Sequence, residues 1–203
     1  QNVFKEYYQY NRGLYSTFYS DRLIYTPGVK VFKDDSNVPS IMPETEWFSV
    51  DVITCAAPYL AKRKYTNAEA LLRLFKGRIK NVFEAARDND VDVLILGAFG
   101  CGAFKNPPLL VSQAFEEIIR EEKYCEDFKQ IVFAIKPTGE NCPNLTAFAN
   151  RFDSYASDVE KRNTIRAVSS SFRFHKTPSM HSIDLSGNLE FHHWQATNRY
   201  FGK

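Results

Sequence analysis

Apolar side chains recur along this chain at two spacings. Leu72, Phe75, Ile79, Val82, Phe83 and Ala86 keep the helical period, lysines and arginines occupy the opposite face, and Asn67 stands where an N-cap is expected. Val111, Ala114, Phe115, Ile118 and Ile119 repeat that period behind Pro107-Pro108, a pair suited to opening a helix. Between and after these helices, Val91 to Leu96, apolar apart from Asp92, and Gln130 to Ile135, apolar after its first residue, are runs of strand length, which predicts buried strands. Trp47 to Thr54 is a further strand, ended by Ala56-Ala57-Pro58. Arg22 to Phe32 predicts two short extended pieces about a turn at Pro27-Gly28, closed by Asp34-Asp35. Residues 1 to 21 are rich in tyrosine and helical in character. Strand, helix, strand, helix, strand in this order is an α/β sandwich with a largely parallel sheet, and such folds form their ligand crevice at the carboxyl ends of the strands. Past Asp153 the apolar rhythm weakens and serine, histidine and arginine become frequent. Residues 1–153 are therefore read as the core and 154–203 as a C-terminal extension, either packed on the core through Phe172, Phe174, Trp194 and Phe201 or leading elsewhere.

The run at Val91 empties into Gly97-Ala98-Phe99-Gly100-Cys101-Gly102-Ala103-Phe104-Lys105-Asn106, three glycines between a strand and a helix. Glycines let the backbone pass close to a ligand, and successive N–H groups near a helix N-terminus point positive charge at phosphate oxygens. A nucleoside-triphosphate loop requires Gly-Lys followed by Ser or Thr, which Ala103-Phe104-Lys105-Asn106 does not supply. A dinucleotide fingerprint requires a third glycine where Lys105 stands. The alternative is a glycine-rich turn with no ligand. Phe99 and Phe104 weigh against it, because an aromatic ring on such a loop is costly unless it packs into the core or against a ligand.

The chain has 203 residues and a formal net charge of +2, with no basic block, so tracking along a long nucleic acid is not expected and direct DNA binding is excluded from the reading. No segment reads as a membrane span or a signal-peptide core, and a soluble intracellular protein, cytoplasmic or nuclear, is expected. Cys55, Cys101, Cys125 and Cys142 have no paired spacing and read as free thiols. All four histidines, His175, His181, His192 and His193, fall in the extension, so the core offers no imidazole to activate Cys101 or a serine. Cys101 is better explained as a small residue where backbone meets phosphate than as a nucleophile. His192-His193 lacks partners for a metal, no cofactor is implied, and Glu116-Glu117 and Glu121-Glu122 read as a solvated helix face beside Arg120 and Lys123.

YYQYNRG (Tyr7 to Gly13), YSDRLIYTPGVKVFKDD (Tyr19 to Asp35), ITCAAP (Ile53 to Pro58) and LILGAFGCGAFKNPP (Leu94 to Pro108), in this order, resemble the microbial-type poly(ADP-ribose) glycohydrolase family from Gln1 to about Phe152. The resemblance implies a macrodomain-like αβα sandwich with a mixed, largely parallel sheet, and cleavage of the ribose–ribose bond of poly(ADP-ribose). It implies ADP-ribose as the ligand, carried on modified proteins as monomer or polymer. Gly97, Ala98, Phe99, Gly100, Cys101, Gly102, Ala103, Phe104 and Asn106 are the implied binding residues, with Gly100 to Phe104 cradling the diphosphate and Phe104 against the distal ribose. The family's catalytic signature is three consecutive glycines and, a few residues later, Gln-Glu-Glu, and it does not occur in residues 1 to 203; Gln1-Asn2-Val3-Phe4 resembles the family's segment just downstream of that signature. No catalytic residue is assigned. A glycohydrolase completed by an upstream segment, a catalytically dead ADP-ribose reader and an interaction domain with a vestigial loop all stay open.

Overall fold

In the computed structural model, residues 2–62, 67–136, 142–155 and 165–169 are described, with side chains for 4–62, 67–136 and 142–152. The clearest periodic segment forms α2 (Ala68–Arg87), begun by Asn67, whose side chain accepts the Ala70 amide. Its buried stripe is Leu71, Phe75, Arg78, Ile79, Phe83 and Ala86, so Leu71 turns inward where Leu72 was expected, and an arginine sits in the apolar face. The other helices are α1 (Asn2–Gly13), α3 (Pro108–Glu121) and α4 (Pro143–Tyr155). Pro108 takes the first position of α3, where its missing N–H costs no helical bond.

The strands form two sheets. β1 (Leu23–Val31) pairs antiparallel with β2 (Phe48–Cys55), while β3 (Val93–Leu96), β4 (Gln130–Ile135) and β5 (Ile165–Ser169) are parallel in that spatial order. The fold is thus mixed α/β, and β5 joins the sheet from within residues 154–203. Expected as two pieces around a turn, Arg22 to Phe32 is instead one strand with an irregularity between Thr26 and Val29. Gly28 takes φ +64° there, and Asp51 of β2 accepts both its amide, at 2.8 Å, and the Tyr25 hydroxyl, so the partner strand holds a bulge where a reversal would otherwise form.

α2 packs on α3 and α3 on α4. Phe133 of β4 lies at 5.0 Å from Phe115, 5.1 Å from Phe148 and 4.6 Å, stacked, from Phe152, so one strand residue joins the sheet to α3 and α4. Phe83 stacks on Tyr124 at 4.6 Å. Burying a phenylalanine in this way contributes about 1.5–3 kcal/mol. The glutamate doublets depart from a plain solvated face: Glu117 and Glu121 pair with Lys76, Glu122 pairs with Lys80, and Glu116 is buried beside Arg120 and Arg151, clamping α2 to α3 and α3 to α4. The four cysteines are free thiols. The four histidines and Phe172, Phe174, Trp194 and Phe201 lie outside the described residues.

Candidate functional site

At the end of β3 the chain makes two tight turns. The Cys101 amide donates to Ala98 O at 3.0 Å, closing the first, and Gly100 at its corner has φ +72°. The Lys105 amide donates to Gly102 O at 3.1 Å, closing the second, after which Lys105 itself is left-handed at φ +59°. Asn106 locks them together. Buried at 2% exposure, it donates from its side-chain amide to Gly100 O at 2.8 Å and Pro58 O at 2.7 Å, while its backbone N–H also reaches Gly100 O. A Cβ on Gly100 would stand 2.5 Å from Asn106 Nδ2 and 2.6 Å from the Ala57 methyl, so the position admits only glycine; at Gly102 a Cβ would meet nothing within 4 Å. The consequence is a loop braced from behind and open in front. Among the described residues the amides of Gly100, Gly102, Ala103 and Phe104 donate to no protein acceptor.

These turns form one wall of a cleft of about 580 Å³, within the range of about 300–1,000 Å³ usual for small-molecule sites. Opposite stand Tyr7, Tyr8, Asn11 and Arg12 of α1, with Tyr19 and Cys55 to Ala57 completing the lining. Arg78, at 1% exposure, holds the cleft's frame. Its guanidinium donates to Phe18 O at 2.9 Å, Ala56 O at 2.7 Å and Asp21 Oδ1 at 3.0 and 2.9 Å, tying α2 to both chain segments behind the cleft. Asn11 joins α1 to the same frame by accepting the Ser20 amide and hydroxyl, each at 3.0 Å. The Tyr7 hydroxyl is buried beside the Ala56 amide and meets no hydrogen-bond partner of ordinary geometry among the described residues; burial raises its pKa, so the phenol stays neutral.

Of the nine residues expected at the site, Phe99, Gly100, Gly102, Ala103 and Phe104 line the cleft. Gly97, Ala98, Cys101 and Asn106 do not. Gly97 sits 3.7 Å, at its Cβ position, from Ala134 O of β4, Ala98 O and the Cys101 amide are spent on the first turn, and Asn106 is the brace. Phe99 turns to the core, edge-on to Phe75 at 6.0 Å, and Phe104 meets Tyr59 edge-on at 5.2 Å and Tyr19 at 6.4 Å, so each loop phenylalanine has a packing partner. Burial pushes the Cys101 thiol up to about 12 and the Cys55 thiol up to about 11, which leaves neither as a thiolate near neutral pH. The α1 wall, Tyr19 and Cys55 to Ala57 were not assigned from sequence, although all lie inside the motifs Tyr7 to Gly13, Tyr19 to Asp35 and Ile53 to Pro58 that carried the resemblance. No Asp or Glu lines the cleft among the described residues, the one charged lining side chain there is Arg12, and those residues hold no group of three side chains able to bind a metal. No helix among them is long and apolar enough to cross a membrane.

A mixed α/β fold with a cleft at the ends of β2 and β3, walled by a glycine-rich loop with four amides that donate to no described acceptor, defines a class of α/β domain with a crevice at its strand ends. Within that class the chain is PARG-like, similar in sequence and fold to microbial poly(ADP-ribose) glycohydrolases. The poly(ADP-ribose) glycohydrolase from Deinococcus radiodurans in complex with ADP-ribose matches with TM-score 0.67 and 31% identity over 74% of this chain and 60% of that one. Its apo form gives 0.66 and 31%, with 74% and 61% covered. The poly(ADP-ribose) glycohydrolase from Thermomonospora curvata bound to the inhibitor ADP-HPD gives 0.68 and 34%, with 74% and 56% covered. The chain spans roughly three fifths of the length of these structures. No protein-family model and no curated protein matches it.

Proposed function

We propose that this chain binds ADP-ribose, free or as a unit of poly(ADP-ribose) on modified proteins, in the cleft between α1 and the loop 97–106. The observation that carries this reading is the row of amides at Gly100, Gly102, Ala103 and Phe104, four residues that line the cleft and whose amides donate to no described protein acceptor. A diphosphate accepting such amides forms charge-assisted bonds worth about 1.5–3 kcal/mol each, which holds a doubly charged ligand without a lysine. Arg12, across the cleft, adds favourable charge, and the solved relatives captured with ADP-ribose and ADP-HPD support the same ligand class. On this reading the protein acts in the cytoplasm or nucleus, and the reading calls for no cofactor and no contact with DNA.

Glycohydrolysis of poly(ADP-ribose) is the activity named for the relatives, and on this reading the protein acts in the same reaction. Cleavage through an oxocarbenium-like state requires a carboxylic acid within reach of the leaving oxygen. Since no described carboxylate lines the cleft, that proton is assigned to no residue here, and the same observation favours a second reading as a domain that holds ADP-ribose without turning it over. Titration calorimetry with ADP-ribose, on this chain and on Gly102→Val, tests the binding. The expected result is saturable one-to-one binding, lost in the variant because the valine fills the open space, with no change in thermal unfolding. Equal binding by both proteins would overturn the loop assignment, and release of ADP-ribose from labelled polymer by the chain would overturn the second reading.

A further inference from the structure

Tyr19 occupies the left-handed region at φ +57°, a conformation that a bulky side chain adopts only when its surroundings impose it. They do so here from both sides. Arg78 holds Phe18 O and the Asp21 carboxylate, Asn11 holds the amide and hydroxyl of Ser20, and Asn81 donates to Asp21 O at 3.2 Å. The four residues Phe18 to Asp21 are thus pinned by three side chains from two helices. What this bracing delivers is the Tyr19 ring, half-buried, in the cleft, 6.4 Å from the Phe104 ring and tilted 36° to it. The partner ring is placed in the same way from the other wall, by a turn whose next residue, Lys105, is also left-handed.

We propose that Tyr19 is a specificity-determining residue that, with Phe104, presents an aromatic surface to the ribose of ADP-ribose lying beyond the diphosphate; this rests on the reading of the cleft given above. The two rings lie too close together to admit a flat base between them and instead form one slanted face. Sugar C–H groups pack on such a face, and the phenol can exchange hydrogen bonds with ribose hydroxyls. Phe104 itself carries the last of the open amides, so a sugar ring adjoining the phosphates meets its side chain first. Tyr59, which does not line the cleft, meets Phe104 edge-on at 5.2 Å, so Tyr19 and Phe104 are the pair presented there, a face that suits a ribose bearing no base.

The test compares ADP-ribose with ADP, which lacks that ribose, by calorimetry on the wild type and on Tyr19→Asn, Tyr19→Gly and Tyr19→Phe. Asn and Gly accept the left-handed backbone and remove the ring, and Phe keeps the ring. The expected result is that Asn and Gly weaken ADP-ribose about tenfold and leave ADP unchanged, while Phe stays within about threefold for both. Unchanged ADP-ribose affinity in the Asn and Gly variants, or equal losses for both ligands, would overturn the inference. So would unfolding of both variants by circular dichroism, which would make Tyr19 a support of the fold. A wild type that binds neither ligand refutes the functional reading itself, a result distinct from all of these.

Discussion

Replacing Arg78 by methionine separates the two jobs of the buried guanidinium. The thioether chain roughly matches the apolar stem, so little cavity forms, but Phe18 O and Ala56 O lose their donors at 2.9 and 2.7 Å. Each buried carbonyl left unpartnered costs about 1–3 kcal/mol. The ion pair adds little, because the Asp21 side chain is 59% exposed and water replaces its partner. The sum is about 4 kcal/mol, which for a domain of this size lowers the melting temperature by roughly 8–16 °C. Urea unfolding and calorimetry measure it, with Asp21→Asn as the control, expected to cost below about 1 kcal/mol. Because the freed segments are cleft walls, Arg78→Met is also expected to weaken ADP-ribose at temperatures where it is still folded. A variant within about 1 kcal/mol of wild type, or an Asp21→Asn as costly as Arg78→Met, would refute the account that carbonyl bracing dominates.

Two more outcomes concern the loop and the thiols beside it. Gly100→Ala forces a Cβ into contacts of 2.5 and 2.6 Å at a φ of +72°, and is expected to destabilise by about 2 kcal/mol or more in thermal unfolding; a neutral alanine would contradict the brace described for Asn106. With thiol pKa values near 12 at Cys101 and near 11 at Cys55, the reactive thiolate is scarce at pH 8 and grows only as pH approaches those values. Native protein mapped by mass spectrometry after iodoacetamide treatment is therefore expected to label both far more slowly than urea-unfolded protein, and prompt labelling of Cys101 would disprove its burial.

Periodicity located α2, α3, β2, β3 and β4 to within about two residues, since each buries a continuous stripe or face that a short window of sequence records. It could not record long-range partners. The bulge at Gly28 depends on Asp51, which lies far along the chain, and the parallel pairing of β5 on β4 depends on a segment whose composition resembles a tail. For the site, the glycine spacing marked the loop. It did not tell which residues face the cleft and which stand behind, because Gly100 and Gly102 are alike in sequence and opposite in surroundings. The α1 wall was hidden for a related reason: Tyr7, Asn11 and Arg12 read only as part of a tyrosine-rich helical segment until the packing brings them to the same cleft as the loop.

Outward-facing amides belong to the path of the chain and to no particular side chain. Ala103 can drift in identity without altering a single donor, so the exchangeable positions and the essential ones are the reverse of what proximity to the opening suggests. Vulnerability to mutation gathers instead at Gly100 and Asn106, the residues that set the path from the rear, and a survey of natural variants would record the loss of this cleft there before anywhere on its visible rim.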